Sequence, residues 1–334
     1  MKIETTENFY GAKVMVTGGA GFLGSHLVDN LLKQGVKQVV VLDDLSRARK
    51  DWYDAKKNCE KIHFVVGNIL DESILSKAME DVSIVYHLAA VSQVMKAAEQ
   101  PEYAFLVNVI GTNRVAEAAS RAGVSRFVFA SSREVYGDHV TLPVKESSPL
   151  NPKNIYGVSK IAAEIYLKSL NSQKIETIIL RLSNVYGPGD KERVIPLFID
   201  NAMRGAPLAI YGSDKALDFI WIDDVVKVMM EAGLGPVVPD GAVNVGSGKA
   251  VRLDELAYRI RDLSYSTSLV QITNLREPEI ENYEADISRA VQYWGMKVQD
   301  DPLYNLGEII RSYPEQENTT VVVKVVDSEM INSD

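Results

Sequence analysis

Short apolar blocks alternate with stretches of helical spacing along the first half of the chain. Residues 13–16, 38–42, 63–66, 84–88, 126–130 and 176–181 each contain a run of three or four apolar residues. Such blocks suit strands buried on both faces, as in a parallel sheet. Between the first two, residues 25–32 carry Leu27, Val28, Leu31 and Leu32 at the helical period. Pro101 and Gly123 bracket a long helix, and Asn151 or Pro152 opens another that carries Tyr156 and Lys160. The pattern predicts an α/β fold built on a doubly wound parallel sheet.

From about Arg181 the alternation becomes irregular, punctuated by Gly187-Pro-Gly189, Gly205-Ala-Pro207 and Gly212. This change predicts a first domain over residues 1–180 and a smaller mixed α/β lobe over residues 181–315. Residues 219–226 read as a segment that rejoins the first domain, so the expected return lies within about 219–230. Residues 316–334 form a tail of unassigned structure, although residues 319–326 have strand propensity.

The first strand-to-helix corner carries the most chemistry. Thr17-Gly-Gly-Ala-Gly-Phe-Leu-Gly24 places Gly18, Gly21 and Gly24 where a missing Cβ permits a tight turn, a backbone close to a pyrophosphate, and close helix packing. Phe22 and Leu23 then sit at a helix N-terminus whose unpaired N–H groups face phosphate. The second strand ends at Asp43, about twenty residues beyond the last glycine. A carboxylate there accepts hydrogen bonds from ribose hydroxyls and repels a 2′-phosphate, so NAD is expected over NADP. On a polar loop Arg47 and Arg49 read as solvated charges, with a 2′-phosphate contact as the alternative.

Tyr156 and Lys160 lie four apart on a predicted helix and therefore share a face. A nearby ammonium and a positive nicotinamide ring both favour phenolate, which lowers the tyrosine pKa and makes Tyr156 a candidate general base. An isolated Tyr-x-x-x-Lys is more often an ordinary amphipathic surface pair. Here it follows a strand ending in Ala130-Ser-Ser132, and the carboxyl ends of such strands face the ligand crevice. Ser132 would polarise the same substrate hydroxyl.

Composition narrows the class further. At 334 residues and 46% hydrophobic, the chain can bury one large core and a smaller one. A net charge of −9 without a basic stripe argues against nucleic-acid or membrane-surface binding. No apolar run spans a bilayer and the N-terminus does not read as a signal peptide, so a cytoplasmic location is expected. Cys59 is the single cysteine and there are four histidines without a ligand spacing, so no metal site is expected.

The combination resembles the extended short-chain dehydrogenase/reductase family of nucleotide-sugar epimerases and dehydratases, especially its UDP-sugar 4-epimerases. The resemblance is carried by the glycine motif, Asp43-Asp44, Gly67-Asn-Ile69, His87-Leu-Ala-Ala90, Asn108-Val-Ile-Gly-Thr112, Ser131-Ser132, Tyr156, Lys160, and Arg181-Leu-Ser-Asn-Val-Tyr-Gly-Pro188. It implies a Rossmann-type NAD-binding domain followed by a nucleotide-sugar lobe. By similarity Asn68 and Ile69 would sit at the adenine, Ala89 and Ala90 beside the nicotinamide half, and Lys160 on its ribose, with Leu88 and Asn108 also among the cofactor-binding residues. Ser92, Ser132, Arg133, Asn184, Arg193 and Arg276 would contact the nucleotide-diphosphate sugar. The helices around residues 101–122 and 153–170 correspond to those through which related enzymes dimerise, so a homodimer is expected.

Two departures from the family pattern bear on the reaction. Leu217 stands where related enzymes carry a diphosphate-binding arginine, leaving Arg276, with Lys215 or Arg193, to supply the charge. Ser132-Arg-Glu134 stands where family dehydratases have Thr-Asp-Glu. A guanidinium is a poor proton donor, so Arg133 cannot act as the dehydratase acid, and dehydration is disfavoured. Glu134 remains open as a C5 base, a sugar contact or a buried partner for Arg133. Arg133 facing inward would suit a uronate carboxylate. The leading expectation is an NAD-dependent 4-epimerase with Tyr156 as base and Ser132, Lys160 and Glu134 beside it. The alternatives are a 4,6-dehydratase or uronate decarboxylase sharing the C4 oxidation, or a dinucleotide-sensing protein without catalysis.

Overall fold

A computed structural model describes residues 8–139, 141–170, 175–274 and 279–313. The chain opens with β1 (Lys13–Thr17), α1 (Phe22–Lys33), β2 (Gln38–Asp43), α2 (Lys50–Lys56), β3 (Ile62–Val66), α3 (Glu72–Ala78), β4 (Ile84–His87) and α4 (Val94–Glu99). A continuous helical run follows: α5 (Pro101–Phe105), a π-helical segment (Leu106–Gly111) and α6 (Thr112–Arg121). Next come β5 (Arg126–Ser132), a single 3₁₀ turn (Arg133–Val135), α7 (Ile155–Leu170) and β6 (Glu176–Leu182). The remainder is β7 (Asn184–Tyr186), α8 (Val194–Met203), β8 (Leu208–Tyr211), β9 (Ala216–Trp221), α9 (Ile222–Leu234), β10 (Ala242–Val245), β11 (Ala250–Arg252), α10 (Leu253–Leu263), β12 (Val270–Thr273), β13 (Asn282–Tyr283), α11 (Ser288–Trp294) and α12 (Leu306–Ser312).

Seven parallel strands form the main sheet in the order β10-β6-β5-β4-β1-β2-β3. Helices cover both faces, so the strands are apolar on both sides, and two buried clusters result. One contains Val14, Val16, Val39 and Val41, and the other Met15, Val40 and Leu42 from the same strands. Strand order reverses between β1 and β4, which opens a crevice at their carboxyl ends, the place where such sheets take ligands.

The segment expected to return to the first domain divides its residues between a strand of a second sheet and a helix packed on the first domain. β9 pairs with β7, β11 and β13 in a small separate sheet, whereas α9 packs on α1 and β5. The re-entering strand is β10, which lies beside β6 with Val243 opposite Leu180. Helix α7 begins at Ile155, a few residues after the expected opening at Asn151 or Pro152. The strand propensity of residues 319–326 falls outside the described residues.

Candidate active site

The crevice is lined first by backbone. Gly18 adopts φ +69°, and a Cβ on it would lie 2.8 Å from the Ala89 amide nitrogen. A Cβ on Gly24 would lie 2.2 Å from the Gly18 carbonyl oxygen. The β1 turn, the start of α1 and the loop after β4 therefore meet at a spacing that only glycine allows. Gly21 occupies the α1 N-cap with no side-chain cap and no acidic residue in the first turn, which leaves a helix N-terminus facing the crevice beside Phe22 and Leu23.

Asp43 closes the other side of this cradle. One carboxylate oxygen accepts from the Leu45 amide at 2.8 Å and the other from the Ala20 amide at 2.9 Å. Burial raises its pKa, and those two bonds oppose the shift. Arg47 and Arg49 are engaged within the chain. Arg47 donates to Ser92 Oγ at 2.8 Å and pairs with Glu192, and Arg49 donates to Ser25 Oγ at 3.2 Å. A cradle that a Cβ would fill, a bare helix N-terminus and a fixed carboxylate fit a dinucleotide with an unmodified ribose.

Around this cradle the expected cofactor residues are held by local contacts. The Leu88 amide donates to the Thr17 carbonyl at 3.1 Å and the Ala89 amide to Thr17 Oγ1 at 3.3 Å, with Ala90 next in the same half-buried loop. Thr17 Oγ1 also meets His87 Nδ1 at 2.6 Å, and His87 Nε2 meets Thr112 Oγ1 at 2.9 Å. Burial lowers the His87 pKa to about 3, so this relay is neutral. Asn68 Oδ1 accepts from the Leu70 amide at 2.9 Å, and buried Ile69 packs on Gly111. The wide π turn points Asn108 inward. Its amide donates to the Val91 carbonyl and Ser159 Oγ and accepts from the Val91 amide, tying the β4 loop to α7.

Tyr156 and Lys160 share the buried face of α7, at 8% and 2% exposure. The helix is pinned by Glu164, which accepts from Ser131 Oγ at 2.5 Å and from Arg181 at 2.7 and 3.1 Å. Lys160 Nζ donates to the Ala130 carbonyl at 2.9 Å and lies 4.7 Å from the Phe129 ring centroid. Burial lowers its pKa to about 7, with Glu164 opposing.

The Tyr156 phenol behaves differently from the sequence expectation. Burial pushes it up to about 12; a hydrogen bond with Ser132 opposes this, Glu134 adds to it, and the Arg193 and Arg133 charges pull it down. Lys160 sits 5.7 Å from the Tyr156 ring centroid, beside the ring face and bonded to a carbonyl. Among the protein groups, those that favour phenolate are therefore Ser132 and the two arginines.

On the substrate side the charges are largely paired within the chain. Arg133 Nη2 lies 3.0 Å from Glu134 Oε1, both side chains are about nine-tenths buried, and Arg133 Cζ stands 5.7 Å from the Tyr283 ring centroid. Asn154 Nδ2 donates to Glu134 Oε2 at 2.7 Å. Of the three roles open for Glu134, the pairing with Arg133 is present. Asn184 Nδ2 donates to the Asp218 carbonyl at 2.9 Å, and Arg193 pairs with Asp190 at 3.0 Å while lying over Phe22. Lys215, a candidate substitute for the missing arginine, is buried and paired with Glu279 at 2.5 Å, and Leu217 is a buried position of β9. Arg276 lies outside the described residues.

Several contributors carry no sequence signal as isolated residues. Glu192 receives both Arg47 and Gln93, drawing the loop after β7 over the cradle; His26 Nε2 reaches the Pro188 carbonyl at 2.9 Å in the same loop. Asp218 accepts from Ser247, Gly248 and Ala285, which fastens three segments of the second lobe, and its burial raises its pKa to about 6. Asn154 was legible in principle, since an Asn just before a helix is a capping signal, and its Oδ1 does accept from the Gly157 amide at 2.8 Å.

A seven-strand sheet with the 3-2-1-4-5-6 order, a glycine cradle at its switch point and an inward Tyr–Lys pair defines a Rossmann-type, NAD-dependent enzyme class. Residues 14–246 match the model of the NAD dependent epimerase/dehydratase family, and the chain belongs to that family. It is similar to a putative UDP-glucose 4-epimerase of Methanocaldococcus jannaschii, at 37% identity over 73% of this chain and 79% of the relative. It is also similar to human dTDP-D-glucose 4,6-dehydratase, at 33% identity over 82% of this chain and 78% of the relative. Among solved structures, a UDP-glucose 4-epimerase of Thermotoga maritima with UDP-glucose superposes with a TM-score of 0.83 at 26% identity, covering 90% of this chain and 97% of that one.

Proposed function

We propose that this enzyme is a nucleotide-sugar 4-epimerase acting on a UDP-sugar, either a hexose of the glucose/galactose type or the glucuronate. The observation that carries the reading is the buried Tyr156, hydrogen-bonded to Ser132 beside the glycine cradle and on one helix face with Lys160. Tyr156 takes the proton of the C4 hydroxyl as the C4 hydrogen leaves as hydride, and Ser132 orients that hydroxyl. Bound NAD supplies the hydride acceptor and, in the return half, the donor. The 4-keto sugar turns within the pocket, Tyr156 returns its proton to the C4 oxygen, and the net reaction is inversion with no change in composition.

Gly18, Gly21, Gly24 and Asp43 would hold the dinucleotide, with Lys160 on its ribose; Asn184, Arg193 and Arg276 would hold the sugar diphosphate. A 4,6-dehydratase or uronate decarboxylase is the second reading, favoured by the similarity to the human dehydratase and the presence of Glu134. Against it, Arg133 occupies the position where an acid is needed. Tyr103, Phe105, Val158 and Ile165 leave an exposed apolar face along α5 and α7, which supports a homodimer through these helices.

The test is incubation with UDP-, GDP-, CDP- and dTDP-sugars without added reductant, read by NMR and mass spectrometry. Inversion at C4 at unchanged mass is the expected result. Loss of water or carbon dioxide moves the second reading into first place, and the absence of turnover on the whole panel favours a dinucleotide-binding role without catalysis.

A further inference from the structure

We infer that Arg133 is a positioning residue that decides the fate of the 4-keto sugar, by holding the Glu134 carboxylate, together with Asn154, so that neither oxygen is presented to C5. The inference rests on the C4 oxidation proposed above. A ketone at C4 makes the C5 hydrogen acidic, because the electron pair left on C5 can move onto the C4 oxygen. A carboxylate within reach of C5 would then gain that proton and leave an enolate, whose C4 oxygen Tyr156 and Ser132 would stabilise. From there the C6 substituent can be expelled. Glu134 is placed near enough to the reacting end for its charge to act on the Tyr156 hydroxyl.

Its surroundings oppose that role. Oε1 faces Arg133 Nη2 at 3.0 Å and Oε2 accepts from Asn154 Nδ2 at 2.7 Å, in a residue only 5% exposed. Glu134 is the one carboxylate paired with Arg133 among the described residues, and Arg133 Nη1 has no hydrogen-bond partner there. Turning Glu134 toward C5 would break both contacts and leave a nine-tenths buried guanidinium without the carboxylate it faces, which is costly. Asn154 adds a geometric restraint, because its Oδ1 is fixed by the Gly157 amide in the first turn of α7. The carboxylate is thus built into the support of Tyr156, and the ketone is left with hydride return as its exit.

The experiment uses the NAD-loaded full chain in D₂O with UDP-glucose and UDP-glucuronate, counting deuterium at C5 against inversion at C4. Wild type is expected to invert C4 with C5 remaining protiated. Arg133→Met and Arg133→Gln, two ways of removing the charge in case one does not fold, are expected to raise C5 deuterium per inversion by about tenfold or more. Adding Glu134→Gln to either should abolish that gain, a reversal that general loosening of the site would not produce. C5 exchange at the rate of inversion in wild type, or no increase in a folded Arg133 variant, overturns the inference while leaving the epimerase reading intact. A wild-type product that has lost water or carbon dioxide, or no turnover by wild type, overturns the epimerase reading and this inference with it.

Discussion

The two halves of the cleft are built by different means. The dinucleotide side is mostly backbone: Gly18, Gly24 and the Ala89 loop meet within contact distances that a single Cβ would violate. The side proposed to take the sugar is mostly side chains already bonded to one another, such as Arg133 with Glu134, Arg193 with Asp190 and Lys215 with Glu279. A backbone cradle is rigid before its ligand arrives and tolerates no added atom. A side-chain wall can change partner, so its chemistry depends on which pairs persist when the sugar binds.

Substitutions should separate these halves by size of effect. Tyr156→Phe removes the hydroxyl proposed to transfer the proton, and kcat for the proposed C4 inversion is expected to fall by about two to four orders of magnitude, with little change in melting temperature. Next comes Gly24→Ala, which sets a methyl 2.2 Å from the Gly18 carbonyl. It should cost about 1–3 kcal/mol of stability and weaken NAD binding in calorimetry, while an alanine at exposed Gly205, with nothing within contact of the new atom, should not affect NAD.

Breaking a buried pair behind the helix should damage both halves. Arg181→Met leaves Glu164 buried without its bidentate partner and is expected to cost about 3–5 kcal/mol in denaturant unfolding. Lys160 gives a pH-dependent effect. Its folded pKa of about 7 lies below the ordinary value of 10.5, so between those limits the unfolded chain binds more protons and stability rises with pH. The stabilisation expected from Lys160→Met is therefore greatest at or below pH 7 and shrinks as the pH climbs toward 10.5. Equal gains at both ends of that range would break the assignment. The smallest effect is expected at Glu192, half-exposed where it joins Arg47 and Gln93. Glu192→Ala should speed NAD release only a few-fold, about 0–1 kcal/mol, as suits an exposed pair.

The sheet strands, the glycine corner and the common face of Tyr156 and Lys160 were legible because each depends on local spacing. Strand and helix periods follow from backbone geometry, and the glycine pattern marks positions where any side chain collides. The π turn that aims Asn108 was not legible, since Leu106–Gly111 reads as ordinary helix and its contacts with Ile69 and α7 come from distant parts of the chain. Residues 219–226 have apolar positions that suit either sheet, and only the assembled fold separates β9 from α9.

By itself, then, the sequence determined the α/β class, the glycine corner and the common helix face of Tyr156 and Lys160, each of which is encoded by spacing within a short segment. Tertiary structure decided where charges end: Lys160 on the Ala130 carbonyl beside the tyrosine ring, Arg133 on Glu134, and Glu192 reaching across to Arg47. Those choices depend on which segments packing brings together and on how much water it removes from each group. Burial sets the energy of an ionisable side chain as strongly as its neighbours do, and burial is a property of the whole fold.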